Sequence, residues 1–315
     1  MRHLDRAPRP RLTVGGANGV STVLRSRAVR ANDLEFGLLE VGAGPLALCL
    51  HGFPDSAYTW RHLLPALAEA GFHAVAPFMR GYAPTAIPDD GCFGIGALVA
   101  DAVALHQVLD GDGHAVLIGH DWGAEATYGA AAFAPDRWRR VVTLAVPPLA
   151  LDSVLFSDYQ QLKRFFYLFL FRDSLPRAEA IVAAERMAFL DRLWQDWSPG
   201  YDAAEDLARV KECLRQPANL TAAISYYRDS AIVTASGGAV VPYTLEEQAA
   251  WQQAKQPTLY LHGSLDGCIG VELAGRAERL LAPGSRMTVV EDAGHFLHLE
   301  KPHDVNEHIL SWVTS

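Results

Sequence analysis

The feature that most narrows what this chain can fold into is the stretch Gly119-His120-Asp121-Trp122-Gly123-Ala124. Four apolar residues of strand character, Ala115 to Ile118, run into it, and an alanine-rich helical pattern from Ala124 to Phe133 leaves it. A strand feeding a helix through G-x-D-x-G must turn sharply, and such a turn pushes its central side chain clear of the sheet edge. Gly119 and Gly123 let strand and helix pack closely, while the central residue is forced into sparsely populated backbone angles that usually serve function. That residue is Asp121. A serine there would signal acyl transfer, but no G-x-S-x-G occurs in the 315 residues. An aspartate implies different chemistry.

The segments around this turn alternate. Strand-like runs at Ser26 to Val29 and Leu34 to Val41, separated by Asn32-Asp33, predict an antiparallel hairpin. Leu46 to Leu50 is apolar throughout, as a strand covered on both faces would be. It ends in the loop His51-Gly52-Phe53-Pro54-Asp55-Ser56, and a helical pattern follows through Trp60, Leu63, Leu64, Leu67 and Ala68. Phe72 to Pro77 is another buried strand, followed by the loop Arg80-Gly81-Tyr82-Ala83-Pro84. A helix over Ile95 to Leu109 leads to the strand before Asp121, and a strand over Val141 to Val146 follows the turn's helix. This predicts an α/β fold, a mostly parallel sheet flanked by helices, with ligands at the carboxyl ends of the strands.

From Pro147 to about Val240 the alternation stops, and helical segments rich in aromatics dominate. It resumes with a strand over Thr258 to His262, a helix over Val271 to Leu281, a strand over Met287 to Val290 and a helix over Asp304 to Val313. The expected organisation is a flexible leader over 1–15, a core over 16–147 and 241–315, and a helical cap over 148–240, inserted after the sixth strand. A lid interrupting a sheet suits an enzyme with an enclosed apolar pocket.

Composition sets the bounds. Half the residues are hydrophobic, ample for a buried core. A net charge of -9 argues against nucleic acid and anionic membrane as partners, both of which reward basic patches. The four cysteines, Cys49, Cys92, Cys213 and Cys268, form no CxxC or metal-finger pattern and fit free thiols in a reducing compartment, so the cytoplasm is the expected location. Met1 to Gly15 is rich in Arg and Pro and lacks the apolar core of a signal peptide. The apolar run Phe165 to Phe171 is too short to span a bilayer. Oligomeric state stays open.

Three polar residues fall at the ends of predicted strands in the order nucleophile, acid, histidine: Asp121, Asp266 and His295. Asp292, just before Ala293-Gly294-His295, is a competing acid, but it lies too near the histidine in sequence to be its usual partner. The backbone N–H of Phe53 would face that of Trp122, and together they would form an oxyanion hole. His298 and His303 lie near His295, but no acid or cysteine pattern supports a metal site, and none is expected. His51 and His120 are expected to brace the loops that carry them.

The chain resembles the epoxide hydrolase branch of the α/β-hydrolase superfamily over nearly everything after residue 25. The resemblance rests on His51-Gly-Phe-Pro-Asp-Ser, Arg80-Gly-Tyr, Gly119-His-Asp-Trp-Gly-Ala, Asp266, Gly294-His295 and two cap tyrosines. It implies an α/β-hydrolase fold with Asp121 as nucleophile, Asp266 and His295 as acid and base, and no metal or organic cofactor. The family's ring-opening tyrosines best match Tyr167, with Tyr159 the alternative, and Tyr227, with Tyr226 the alternative. Tyr226 and Tyr227 lie about 100° apart on a helix, so one of them at most faces the site. One departure is Ala83-Pro84 after Arg-Gly-Tyr, where many relatives have Gly and then Ser. It touches the sheet-edge loop more than the chemistry.

The residue types suit that chemistry. A carboxylate of ordinary pKa, about 4, is ionised at neutral pH and needs no base in order to attack. Against a saturated carbon bearing a leaving group it makes a stable alkyl ester. An opening epoxide leaves as an alkoxide far more basic than a phenol of pKa about 10, so a tyrosine hydroxyl protonates it readily. Water then attacks the ester, with His295 taking its proton and Asp266 fixing the imidazole tautomer. The expected substrate is a hydrophobic epoxide, the co-substrate water and the product a vicinal diol. The nearest rival is haloalkane dehalogenase, which shares the aspartate but lacks the tyrosine pair and could use Trp194 or Trp197 as a second halide donor. A catalytically silent small-molecule-binding relative is the other.

Overall fold

The computed structural model describes residues 13–14, 22–172, 177–235 and 242–315. Residues 1–12 and 15 of the expected leader lie outside the described residues. Thr13–Val14 pairs antiparallel with Thr22–Val23.

The main sheet has eight strands: β1 (Arg25–Ala31), β2 (Leu34–Gly42), β3 (Leu46–Leu50), β4 (His73–Pro77), β5 (Val116–His120), β6 (Arg140–Leu144), β7 (Thr258–Gly263) and β8 (Arg286–Val290). Their order across the sheet is β8-β7-β6-β5-β3-β4-β2-β1. The hairpin read from the sequence is β1 and β2. Asn32 and Asp33 both have positive φ, 46° and 57°, as a two-residue turn matched to strand twist requires. β2 also runs antiparallel to β4, and every other neighbouring pair is parallel. β3 and β5 are buried along their whole length, which explains why they read as unbroken apolar runs rather than alternating ones.

Helices α1 (Leu63–Glu69), α2 (Ile95–Val108) and α3 (Trp122–Phe133) connect the first strands. Between β6 and β7 come α4 (Asp152–Leu155), α5 (Tyr159–Arg164), α6 (Phe166–Phe171), α7 (Arg177–Trp197), α8 (Ala204–Cys213), α9 (Pro217–Ala235) and α10 (Thr244–Ala250). α7 is interrupted between Ala184 and Met187, and α10 packs back on α2 and α3. The helix expected over Val271 to Leu281 is instead α11 (Val271–Ala274) followed by a 3-10 segment from Gly275. A glycine lacks the side chain that would hold the turn, and its backbone freedom disfavours continuing an α-helix. The chain closes with α12 (Leu297–Glu300) and α13 (Pro302–Thr314). No helix among the described residues is long and apolar enough to cross a membrane.

Two devices fix the layers that hold the site. Arg80, almost fully buried, forms paired bonds of 2.6 Å to both Asp101 oxygens and so ties the Arg-Gly-Tyr loop to α2. The end of α7 is anchored to the core: Trp194 Nε1 donates to the Pro54 carbonyl at 2.9 Å, and the Trp197 carbonyl accepts from His295 N–H at 2.9 Å and Gly267 N–H at 3.1 Å.

Candidate active site

The turn after β5 has the strain its sequence implies. Asp121 sits at φ 53°, ψ -122°, and α3 begins with the next residue. A side chain at Gly119 would collide with the Gly123 backbone, and one at Gly123 with the Leu50 carbonyl, so both glycines are required by close approach. The Asp121 carboxylate is buried, and its Oδ1 accepts the Phe53 backbone N–H at 2.7 Å. Gly52 backs against it: a Cβ there would lie 2.7 Å from Asp121 Cγ. The Trp122 amide opens α3, where helical N–H groups have no intrahelical acceptor.

The loops after β7 and β8 bring in the other two residues. They are knitted together by Ser264 N–H on the Val290 carbonyl and Leu265 N–H on the Ala293 carbonyl, at 3.0 and 2.8 Å. Asp266 Oδ1 accepts the amides of Cys268 and Ile269 at 2.7 and 2.9 Å, and its Oδ2 lies 3.0 Å from His295 Nδ1. His295 Nε2 points the other way and lies 3.5 Å from Asp121 Oδ2. The competing acid, Asp292, is exposed at the loop tip.

Burial alone would lower the pKa of His295, but Asp266 and Asp121 on either side raise it to about 10. Burial would raise both carboxyls. The His295 imidazolium more than offsets this and holds Asp121 and Asp266 below the usual carboxylate range. The resting centre is therefore two carboxylates bridged by one imidazolium.

Asp121 opens into a cavity of about 160 Å³, lined also by Trp122, Phe165, Leu168 and Ile269, and by both Tyr167 and Tyr227. The two tyrosine rings meet edge to face, 5.7 Å between centroids. Among the described residues the buried Tyr227 hydroxyl makes no well-formed hydrogen bond, though the Trp122 side chain stands beside it and partly offsets its burial, and that of Tyr167 meets only Cys268 Sγ at 3.5 Å. Burial pushes both phenols well above their ordinary pKa, so they remain proton donors. Of the alternatives, Tyr226 gives its hydroxyl to the Arg80 carbonyl at 2.7 Å, and Tyr159 is 71% exposed. The Trp194 indole N–H is taken up by Pro54, and Trp197 does not line the cavity.

His51 and His120 brace loops. His51 Nε2 accepts the Met79 amide, which leaves Nδ1–H for the Gly52 carbonyl, and His120 Nε2 donates to the His295 carbonyl. His120 Nδ1, His298 Nδ1 and Asp55 Oδ2 converge within 4.8 Å of one another, all buried and unpartnered. The His120 to Asp55 separation is 3.8 Å. Burial lowers His120 to about 3 and raises Asp55 well above its usual range. His303 is exposed and outside this trio.

Sequence reasoning passed over several groups that line the cavity: Glu125, Asp152, Glu247 and Cys268. For Glu125 a signal existed, since it follows Asp121 by four residues at the start of the same helix, a spacing that stacks side chains on one face. The other three come from distant segments and carry no such mark.

A strained aspartate after a central parallel strand, with a carboxylate and a histidine from the two strands beyond the helical insertion, defines an α/β hydrolase. The family model for the alpha/beta hydrolase fold matches residues 45–302, and the chain belongs to that family. It is similar to epoxide hydrolase A of Mycobacterium tuberculosis, 29% identical over 91% of this chain and 97% of that one. It is also similar to an epoxide hydrolase of Caballeronia sordidicola, 29% identical over 90% and 92%. Among solved structures it resembles epoxide hydrolase A of Mycobacterium thermoresistibile, with a TM-score of 0.77 and 27% identity over 93% of this chain and 98% of that one.

Proposed function

We propose that this protein hydrolyses a hydrophobic epoxide to a vicinal diol through an ester formed on Asp121. One observation carries the reading: an ionised aspartate and two buried, underused tyrosine hydroxyls line the same cavity. The names of the relatives agree with it.

In the first step an Asp121 oxygen attacks one epoxide carbon, the carbon–oxygen bond of the ring breaks, and the ring oxygen takes a proton from Tyr167 or Tyr227. Esterification removes the Asp121 charge, so His295 gives up its extra proton, and that proton restores the tyrosine hydroxyl. In the second step water attacks the ester carbonyl and passes one proton to neutral His295, which Asp266 orients. The oxyanion is met by the amides of Phe53 and Trp122. As the tetrahedral centre collapses, the second water proton goes to the departing oxygen, which leaves carboxylate, imidazolium and diol. The cap over 148–240 supplies the tyrosines and the apolar wall, and the return of α10 to the core helices supports ending it there. Cytoplasmic residence is supported by four free cysteines, three of them buried.

A single turnover in heavy-oxygen water tests the ester. The isotope should enter the Asp121 side chain and leave the diol unlabelled. Direct entry into the diol would mean that water opens the ring itself. Parallel incubation with styrene oxide and a chloroalkane separates the rivals: diol is expected, chloride release would favour the dehalogenase, and inertness to both the silent relative.

A further inference from the structure

One wall of the cavity carries more acidic groups than ring opening needs. Glu125, Asp152 and Glu247 line it together with Asp121, and Arg172 is the one basic residue among the described lining residues. Two of these acids have company. Glu247 accepts the Gly96 amide at 2.6 Å, and burial raises Asp152 to about 6 even though the Arg172 guanidinium offsets part of that effect. Glu125 has no bonded partner among the described residues. Two aromatic rings complete this end of the cavity, Phe156 and the half-exposed Trp251. The Phe156 face already accepts a cation, since the Arg172 guanidinium lies 5.3 Å from its centroid. Carboxylates and aromatic faces together are the surroundings that suit an organic ammonium group.

Glu125 stands in the first turn of α3, the helix that Asp121 caps, and both side chains line the same cavity. A substrate held to Asp121 by its epoxide carbon would therefore extend its tail past Glu125.

We propose, resting on the epoxide reading above, that this cavity selects epoxides bearing a positively charged amine on the tail beyond the ring, with Glu125 as counter-ion and specificity-determining residue. Burial, then Asp152 and Asp121, push the Glu125 carboxyl well above its usual range in the empty cavity. A substrate cation restores the carboxylate. The same excess of acids over one arginine rejects epoxides with a carboxylate tail.

The test compares (5,6-epoxyhexyl)trimethylammonium with its neutral isostere 7,7-dimethyl-1,2-epoxyoctane, on the wild type, Glu125→Gln and Glu125→Asp, with thermal melting to verify folding. The wild type should favour the cation in kcat/KM by about tenfold or more. Glu125→Gln should bring the ratio to near one, and Glu125→Asp, which keeps the charge, should retain part of it. Turnover of both compounds without preference, or a preference that survives Glu125→Gln, overturns the proposal and leaves the epoxide reading intact. Should neither compound react, the epoxide reading falls and calorimetric binding of hexyltrimethylammonium decides on the cation site. Binding about tenfold weaker to Glu125→Gln sustains it, and equal binding refutes it.

Discussion

Esterification of Asp121 should switch His295 from acid to base, and the size of the switch follows from one distance. The two carboxylates flanking His295 raise its pKa to about 10 in the resting protein, so at neutral pH it is an imidazolium with no proton affinity to offer. Ester formation deletes the charge 3.5 Å from Nε2. At an effective dielectric of about 20, that charge is worth roughly 4.7 kcal/mol, or between three and four factors of ten in proton affinity. The imidazole then returns to the ordinary histidine value of about 6.5. Single-turnover stopped flow separates the two steps through tryptophan emission, because the Trp122 indole lines the cavity. Ester hydrolysis should rise about tenfold per pH unit below about 6.5 and level off above it. Ester formation should stay level across neutrality, because Asp121 stays ionised until far lower pH. Ester hydrolysis that is flat across that range, or ester formation with its own break near neutrality, would refute the charge switch.

Three substitutions probe other parts of the centre. His295→Gln should still form the ester but not resolve it, so intact mass with a substrate the wild type turns over should show a stoichiometric adduct on Asp121; no adduct would count heavily against the mechanism. Tyr167→Phe and Tyr227→Phe should each slow ester formation by about 10- to 100-fold, and the double variant by about a thousandfold or more, as expected when a proton donor is lost. Tyr227→Phe should also leave the melting temperature unchanged or higher, because the hydroxyl it removes is buried and makes no well-formed hydrogen bond among the described residues; a marked fall would assign that hydroxyl a structural bond, with the Trp122 side chain as its partner. Gly52→Ala should displace the Asp121 carboxylate, costing about 1–3 kcal/mol of stability through overpacking. It should also slow ester formation by roughly 10- to 100-fold through loss of the Phe53 amide bond, whose charge-assisted worth is about 1.5–3 kcal/mol. Wild-type rates in this variant would show the Phe53 contact to be dispensable.

What the sequence revealed and what it hid follow from the range of the interactions involved. The turn at Asp121 was legible because its constraint is local: glycine spacing and the switch from an apolar run to a helical pattern are properties of neighbouring residues. The hairpin at Asn32-Asp33 was legible for the same reason. The helix expected across Gly275 broke because periodicity alone did not weigh that glycine. The choice between Tyr226 and Tyr227 could be narrowed by helical geometry to one residue but not decided. The deciding contact, Tyr226 on the Arg80 carbonyl, spans 146 positions. The acids facing Glu125 were hidden more deeply still. Asp152 and Glu247 reach the cavity only because the chain leaves the sheet for about a hundred residues and then returns with α10 packed on α2 and α3.

Counting charge through the proposed cycle suggests why an aspartate works in so dry a place. At rest the centre holds Asp121 and Asp266 as carboxylates and His295 as imidazolium, a net charge of minus one. In the ester, with His295 neutral, Asp266 alone carries it. In the tetrahedral stage the new oxyanion, Asp266 and the imidazolium sum to the same value. The buried centre therefore never has to gain or lose a charge as chemistry proceeds, and a low-dielectric site penalises such a change more than any rearrangement within it. Whenever position 121 is anionic, as the resting carboxylate or the tetrahedral oxyanion, its charge meets the same donors, the Phe53 amide and the start of α3, whose dipole favours an anion. A serine at this turn would begin neutral and would have to develop its charge during attack. The aspartate starts with it, and that suits a ring carbon offering no carbonyl oxygen to share the load.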